Sequence, residues 1–248
     1  MKSLLSNIRN NTNLYFRIVL FCTFLGHGLV NLGLSPSIAL HINLIKAAVP
    51  FDVDPAALTD IAAVIDLTFA FLILFNIAPK YTLAIAFTYI SMIAFAGWAL
   101  YYNKKESVFG IAEIMRRLPW IFFIAFLYLS YIKKINKYHL LRIGLSFAFL
   151  AHGIASMGLL GLNQGHIELA SQLVPEDKVR DFVFYTGISD TVIGILLLSG
   201  IFSRPAAIIG ICWIIFVVII AFNFALPDGI FRLGFLLSAI YIAVDKRC

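Results

Sequence analysis

FLGHGLVNLGL at residues 24–34 and FLAHGIASMGL at residues 149–159 share six of eleven letters in register. Both read as membrane helix, yet each carries a histidine, His27 or His152, with Asn31 or Ser156 one turn beyond. The match continues outward at a constant offset of 125 residues. Arg17-Ile18 answers Arg142-Ile143, His41-Ile42 answers His166-Ile167, and Val49-Pro50 answers Val174-Pro175. Asp66 answers Asp190 at an offset of 124, and Arg117-Leu118 answers Arg232-Leu233 after a shorter loop. Self-similarity at a fixed spacing is the mark of a repeat architecture. The chain reads as two repeats, about 1–136 and 137–248.

Composition sets the class. Of 248 residues, 61% are hydrophobic and 13% charged, with mean hydropathy +0.94, whereas soluble domains run at roughly half and a quarter. A spanning helix needs about 20 mostly apolar residues. The candidates are 17–34, 60–78, 81–102, 116–132, 142–161, 183–202, 206–226 and 229–244. The expectation is an all-α integral membrane protein: eight transmembrane helices as two parallel four-helix repeats, because an even number of spans per repeat returns both in the same orientation. The stretches 37–49 and 166–174 read as short interfacial amphipathic helices after helices 1 and 5. Lys and Arg are more numerous on the side of the N-terminus, which predicts both termini in the cytoplasm and a multi-pass protein of the cell (inner) membrane. The basic residues sit at the ends of apolar runs, so the net charge of +6 points to a lipid bilayer and not to nucleic acid. The N-terminal stretch reads as a short polar lead without a signal-peptide cleavage site. The three cysteines form no CxxC.

Depth gives the polar residues meaning. His27 lies ten residues past Arg17, about 15 Å into a helix rising 1.5 Å per residue. Asp66 enters from the opposite side and lies about 9–12 Å in. The two side chains reach similar depths, and His152 and Asp190 repeat the relation. Ionisable groups in hydrocarbon are costly and mark function by default. The reading is a polar site in each half, for binding or proton relay, made by His27, Asn31 and Asp66 and by His152, Ser156 and Asp190. Thr23 lies on the same stripe as His27 and Asn31.

His41 and His166 follow the first histidines by 14 residues. On a continuous helix that spacing is about 21 Å, as in membrane helices that ligate two haems. Ser35-Pro36 interrupts the first such helix, so these histidines are placed at the site mouth, too far out to join His27 in one tight site. Glu113 with Arg117 and Asp228 with Arg232 are i, i+4 ion-pair candidates. Arg17 and Arg142 are expected to meet anionic lipid.

Each half resembles the DoxX-like (DoxX/DoxD) family of four-helix membrane proteins. The second half carries the pattern best, in GISDTVIGILLLSGIFSRPAAIIG at 187–210. The first, DIAAVIDLTFAFLILFNIAPKYTLAIA at 60–86, is more diverged. Both halves have Asp where the family usually has Glu, and Asn31 and Ser156 stand where a basic residue often follows the His-Gly pair. The resemblance implies a membrane subunit linked to redox chemistry and quinone, serving a redox partner protein, as in thiosulfate:quinone oxidoreductase. The residues leave other classes open: a transporter or binder of a small polar solute or ion, a haem- or metal-binding membrane protein, or a structural and assembly scaffold. No phosphate loop, nucleophile elbow or HExxH is present, so no stand-alone catalytic motif supports an enzyme.

Overall fold

The computed structural model describes residues 11–48, 54–104, 107–132, 137–159 and 164–245. These residues are helical apart from short connections. In chain order the helices are α1 (Thr12–Leu29, continued by a π turn over Val30–Leu34), α2 (Ile38–Ala48), α3 (Pro55–Leu74), α4 (Pro79–Lys104), α5 (Ser107–Ile132), α6 (Tyr138–Ser156), α7 (Gln164–Ser171), α8 (Val179–Ser199), α9 (Ser203–Phe224) and α10 (Leu226–Val244). Among the described residues, eight stretches are long and apolar enough to cross a membrane: all but the short α2 and α7. Helix is the form such stretches must take, because lipid offers backbone N–H and C=O groups no partner.

Several helices start three or more residues before the spans expected from hydropathy: α6 at Tyr138 and not at 142, α9 at Ser203 and not at 206, α10 at Leu226 and not at 229. Polar and proline residues in the first turn explain the shift. Pro55 opens α3 with Asp54 as its cap, the Asp54 carboxylate accepting from Ala56 N–H at 3.0 Å. Pro227 sits in the first turn of α10. Proline is favoured there because its missing N–H would be unsatisfied anyway.

The spanning helices pack in a closed sequence. Besides successive neighbours, α10 closes onto α1, α1 touches α5 and α6 touches α10. An aromatic cluster of Phe16, Phe123, Phe126 and Tyr241 ties α1, α5 and α10 together. Elsewhere large apolar side chains face outward, such as Val64 on α3, Phe95 on α4, Val192 on α8 and Ile219 on α9. On a water-soluble monomer such a surface would be an aggregation liability; against acyl chains it costs nothing.

Arg17 and Arg142 do more than meet lipid. Arg17 donates from Nη1 to Leu74 O at 3.1 Å. Arg142 donates from Nη1 to Leu197 O and Leu198 O, each at 3.2 Å. Both satisfy carbonyls at the end of the neighbouring helix, which lack intrahelical partners and carry the negative pole of the helix.

Between α6 and α8 the backbones nearly touch. A Cβ on Gly187 would lie 2.7 Å from Met157 N and 2.8 Å from Gly153 O. Small residues at such crossings allow the close approach that drives helix association in lipid. Gly187→Val is expected to cost about 1–3 kcal/mol or more through overpacking. The cost reads as a lower midpoint of thermal unfolding in detergent, while Val192→Leu on the outward face of the same helix leaves the midpoint unchanged.

Candidate functional site

The site begins where α1 ends. Gly33 takes a left-handed conformation (φ 78°) inside the π turn, and Ser35 is extended (φ −144°, ψ 144°) ahead of Pro36. Glycine is the residue that enters this region without strain, and a residue before proline is pushed to extended geometry. The chain therefore doubles back, and α2 returns His41 to His27, ring centroids 4.6 Å apart. This corrects the expectation that His41 lies too far out to join His27. The same residues that argue against a continuous helix close the gap.

The first polar cluster is joined through one carboxylate oxygen, Asp66 Oδ2, while Asp66 Oδ1 is buried without a hydrogen-bond partner. His27 Nδ1 lies 2.7 Å from Asp66 Oδ2, and Asn31 donates to the same oxygen at 2.9 Å. Asn31 Oδ1 accepts from His41 Nδ1 at 2.5 Å. The Trp120 indole, completely buried, packs edge-on against His27 with centroids 5.2 Å apart, and the Arg117 guanidinium lies 5.8 Å over that indole. Thr23, expected on this stripe, spends its hydroxyl on Val19 O of its own helix.

The second cluster is wired differently. His152 and His166 stack with centroids 4.6 Å apart and planes at 17°, and Ser156 Oγ lies 2.7 Å from His166 Nδ1. Asp190, expected beside His152, is instead approached by the indole N–H of Trp213, and its Oδ1 is buried without a hydrogen-bond partner. The pairing seen at His27 and Asp66 is thus not reproduced at His152 and Asp190. The polar neighbour of Asp190 is instead Trp213 on α9.

Asp228 and Arg232 form the expected pair, with Arg232 Nη1 3.3 Å from Asp228 Oδ1 and 2.9 Å from Asp228 O. Asp228 also accepts from Ser35 Oγ and from Ser37 Oγ, the latter at 3.2 Å. The α1 break is thereby stitched to α10, a contact that sequence reading missed; the polar Ser-Pro-Ser run was its only signal. The Glu113 side chain lies outside the described residues, so the Glu113–Arg117 pair does too.

These groups surround one cavity of about 560 Å³. His27, His41, Arg116 and Arg117 line it from the first half, and His152, Ser156, His166, Asp190, Asp228 and Arg232 from the second. The sequence reading expected a separate polar site in each half; the cavity is shared. Asn31 and Asp66 stand behind it and do not line it. Trp120, Trp213 and Arg116 were not singled out by sequence. Trp120 and Trp213 lie within apolar helical runs, where an aromatic side chain is an ordinary packing residue, and Arg116 is one of two adjacent arginines, so nothing distinguished these. Among the described residues, no group of three His, Cys, Asp or Glu is arranged to hold a metal ion.

His166 sits on α7, outside the spanning helices. Burial first, then the positive charges of Arg116 and Arg232, push its imidazole down to about 3. It is therefore neutral at pH 7, with one ring nitrogen able to donate and the other to accept a hydrogen bond.

A double-mutant cycle on His27→Ala and Asp66→Ala should give a coupling of about 0.5–3 kcal/mol, read from unfolding in detergent; additive losses would mean the contact carries no energy. For His166, the folded value lies below the unfolded one, so its contribution is complete above about 6.5 and is lost as pH falls toward its folded value. The unfolding midpoint should fall between pH 6.5 and 4 for the wild type and fall less for His166→Gln.

No curated protein and no solved structure matches this chain. Residues 138–223, spanning α6 to α9, match the model of the DoxX family. That stretch, about a third of the chain, holds the stacked histidines, Ser156 and Asp190, and it is the part that is similar to the DoxX family.

Proposed function

We propose that the protein is a quinone-interacting membrane subunit of a redox system, built from a duplicated four-helix unit. Support for the duplication comes from the register of the two His-Gly stretches and from the two histidine ring contacts, each with centroids 4.6 Å apart. The excess of Lys and Arg at the end that holds the termini favours a cytoplasmic location for that end.

The observation that carries the quinone reading is the shared cavity. Its 560 Å³ lies within the roughly 300–1,000 Å³ typical of small-molecule sites. Phe149, Trp213 and Phe216 give flat apolar walls, while His152, His166 and Arg232 offer polar groups. A quinone ring needs both: a slot for the ring, and N–H groups for its carbonyl oxygens. Reduction to quinol takes two electrons and two protons. The electrons are supplied by a redox partner protein. The protons pass through imidazole, with the stacked His152 and His166 and the Ser156 hydroxyl as relay.

Purified protein should retain quinone on solvent extraction, at up to one molecule per chain. The double variant His152→Ala, His166→Ala should retain at least about tenfold less, because hydrogen bonds involving polar or charged groups contribute about 1–3 kcal/mol each. Equal retention by the variant would refute the relay assignment, and absence of quinone from the wild type would refute the function.

A further inference from the structure

The two aspartates that correspond in sequence have unlike surroundings. Asp66 is 0% exposed, is bonded to His27 and Asn31, and does not line the cavity. Trp120 packs on the His27 ring that covers it. Asp190 is 2% exposed and lines the cavity. Each aspartate has a buried Oδ1 with no hydrogen-bond partner, but only Asp190 stands at the cavity wall. A buried carboxyl oxygen left unsatisfied costs about 1–3 kcal/mol or more, so a bound donor is favoured there. The positive charges of Arg116 and Arg232 bear on His152 and His166. Asp190 has Trp213 as its polar neighbour.

We infer that the ligand is seated in the second half alone, with Asp190 accepting a hydrogen bond from an O–H group of the ligand, while Asp66 is a closed structural counterpart. The geometry names the ligand class: a ring-shaped apolar body bearing a hydroxyl toward Asp190 and an acceptor oxygen toward His152, His166 and Arg232. A phenol or a quinol has this form. The inference rests on the reading of the cavity as a ligand site, and its seat assignment does not require the ligand to be a quinone. Asp190 acts by contact with the ligand. Asp66 acts on stability, through its hold on His27 and Asn31.

The test uses the full chain in detergent and follows tryptophan fluorescence, since Trp213 lines the cavity. The probes are 4-nonylphenol, a redox-inert hydroxyl donor, and a decyl-substituted benzoquinone. Nonylphenol should quench with a stoichiometry of one per chain, and Trp213→Phe should remove most of the signal. Asp190→Asn should weaken nonylphenol about tenfold or more, the range expected when a hydrogen bond at a buried carboxyl group is lost or misdirected. Asp66→Asn should leave affinity within about twofold and lower the unfolding midpoint, as loss of a buried polar partner predicts. Should Asp66→Asn not fold, Asn31→Ala, which removes one donor to Asp66, takes its place with the same expectation. Ala148→Trp, which fills the seat from α6, should abolish binding while the protein remains folded. Phenol binding without quinone binding would support the seat and overturn the quinone function. Two molecules per chain, equal weakening by Asp66→Asn and Asp190→Asn, or no binding of either probe would overturn the seat.

Discussion

A carboxyl group carried into hydrocarbon must find a donor, a proton or water, and this constraint organises the bundle. Among the described residues, three buried acids in the spanning helices meet it in three ways. Asp66 is enclosed by an imidazole and an amide. Asp228 is held by two serine hydroxyls and the Arg232 guanidinium. Asp190 is turned to a cavity, with an indole beside it. The first two solutions fasten elements together; the third stands at a cavity wall.

The fastening depends on an interruption. Had α1 run straight on, His41 would stand well away from His27, and Asn31 would have no partner from α2. The π turn, the left-handed Gly33 and the extended Ser35 reverse the chain within a few residues and bring α2 over the end of α1. Irregular backbone is tolerated at such depth only where protein covers it or a cavity adjoins it. Both conditions hold here: Ser35 is bound to Asp228, and Pro36 and Ser37 line the cavity. The break and the polar site are two aspects of one local structure.

The contrast between Trp120 and Trp213 shows how similar helical units acquire different roles through packing. Trp120 lies edge-on against His27 and shields the His27–Asp66 contact. Trp213 borders the cavity and turns its N–H to Asp190. A ring filling space beside a histidine makes a structural joint; a ring forming a wall makes a pocket.

Much of the architecture could be read from residue order. Long apolar runs dictated spanning helices, since lipid leaves the backbone no other way to satisfy itself, and the short helices after the first and fifth spans followed from their amphipathic pattern. Polar letters inside apolar stretches marked His27, Asn31, Asp66, His152, Ser156 and Asp190 as unusual, because their cost in lipid is a property of the side chain alone. What packing alone decided was who meets whom. Spacing along a helix placed His27 and Asp66 at one depth and did bring them together; the same spacing placed His152 and Asp190 alike, yet Asp190 has Trp213 and not His152 as its polar neighbour. The return of His41, the hold of Ser35 on Asp228 and the merging of two polar regions into one cavity depend on dihedral reversals and on side chains from distant helices. Those are relations in space, which periodicity along one helix does not encode.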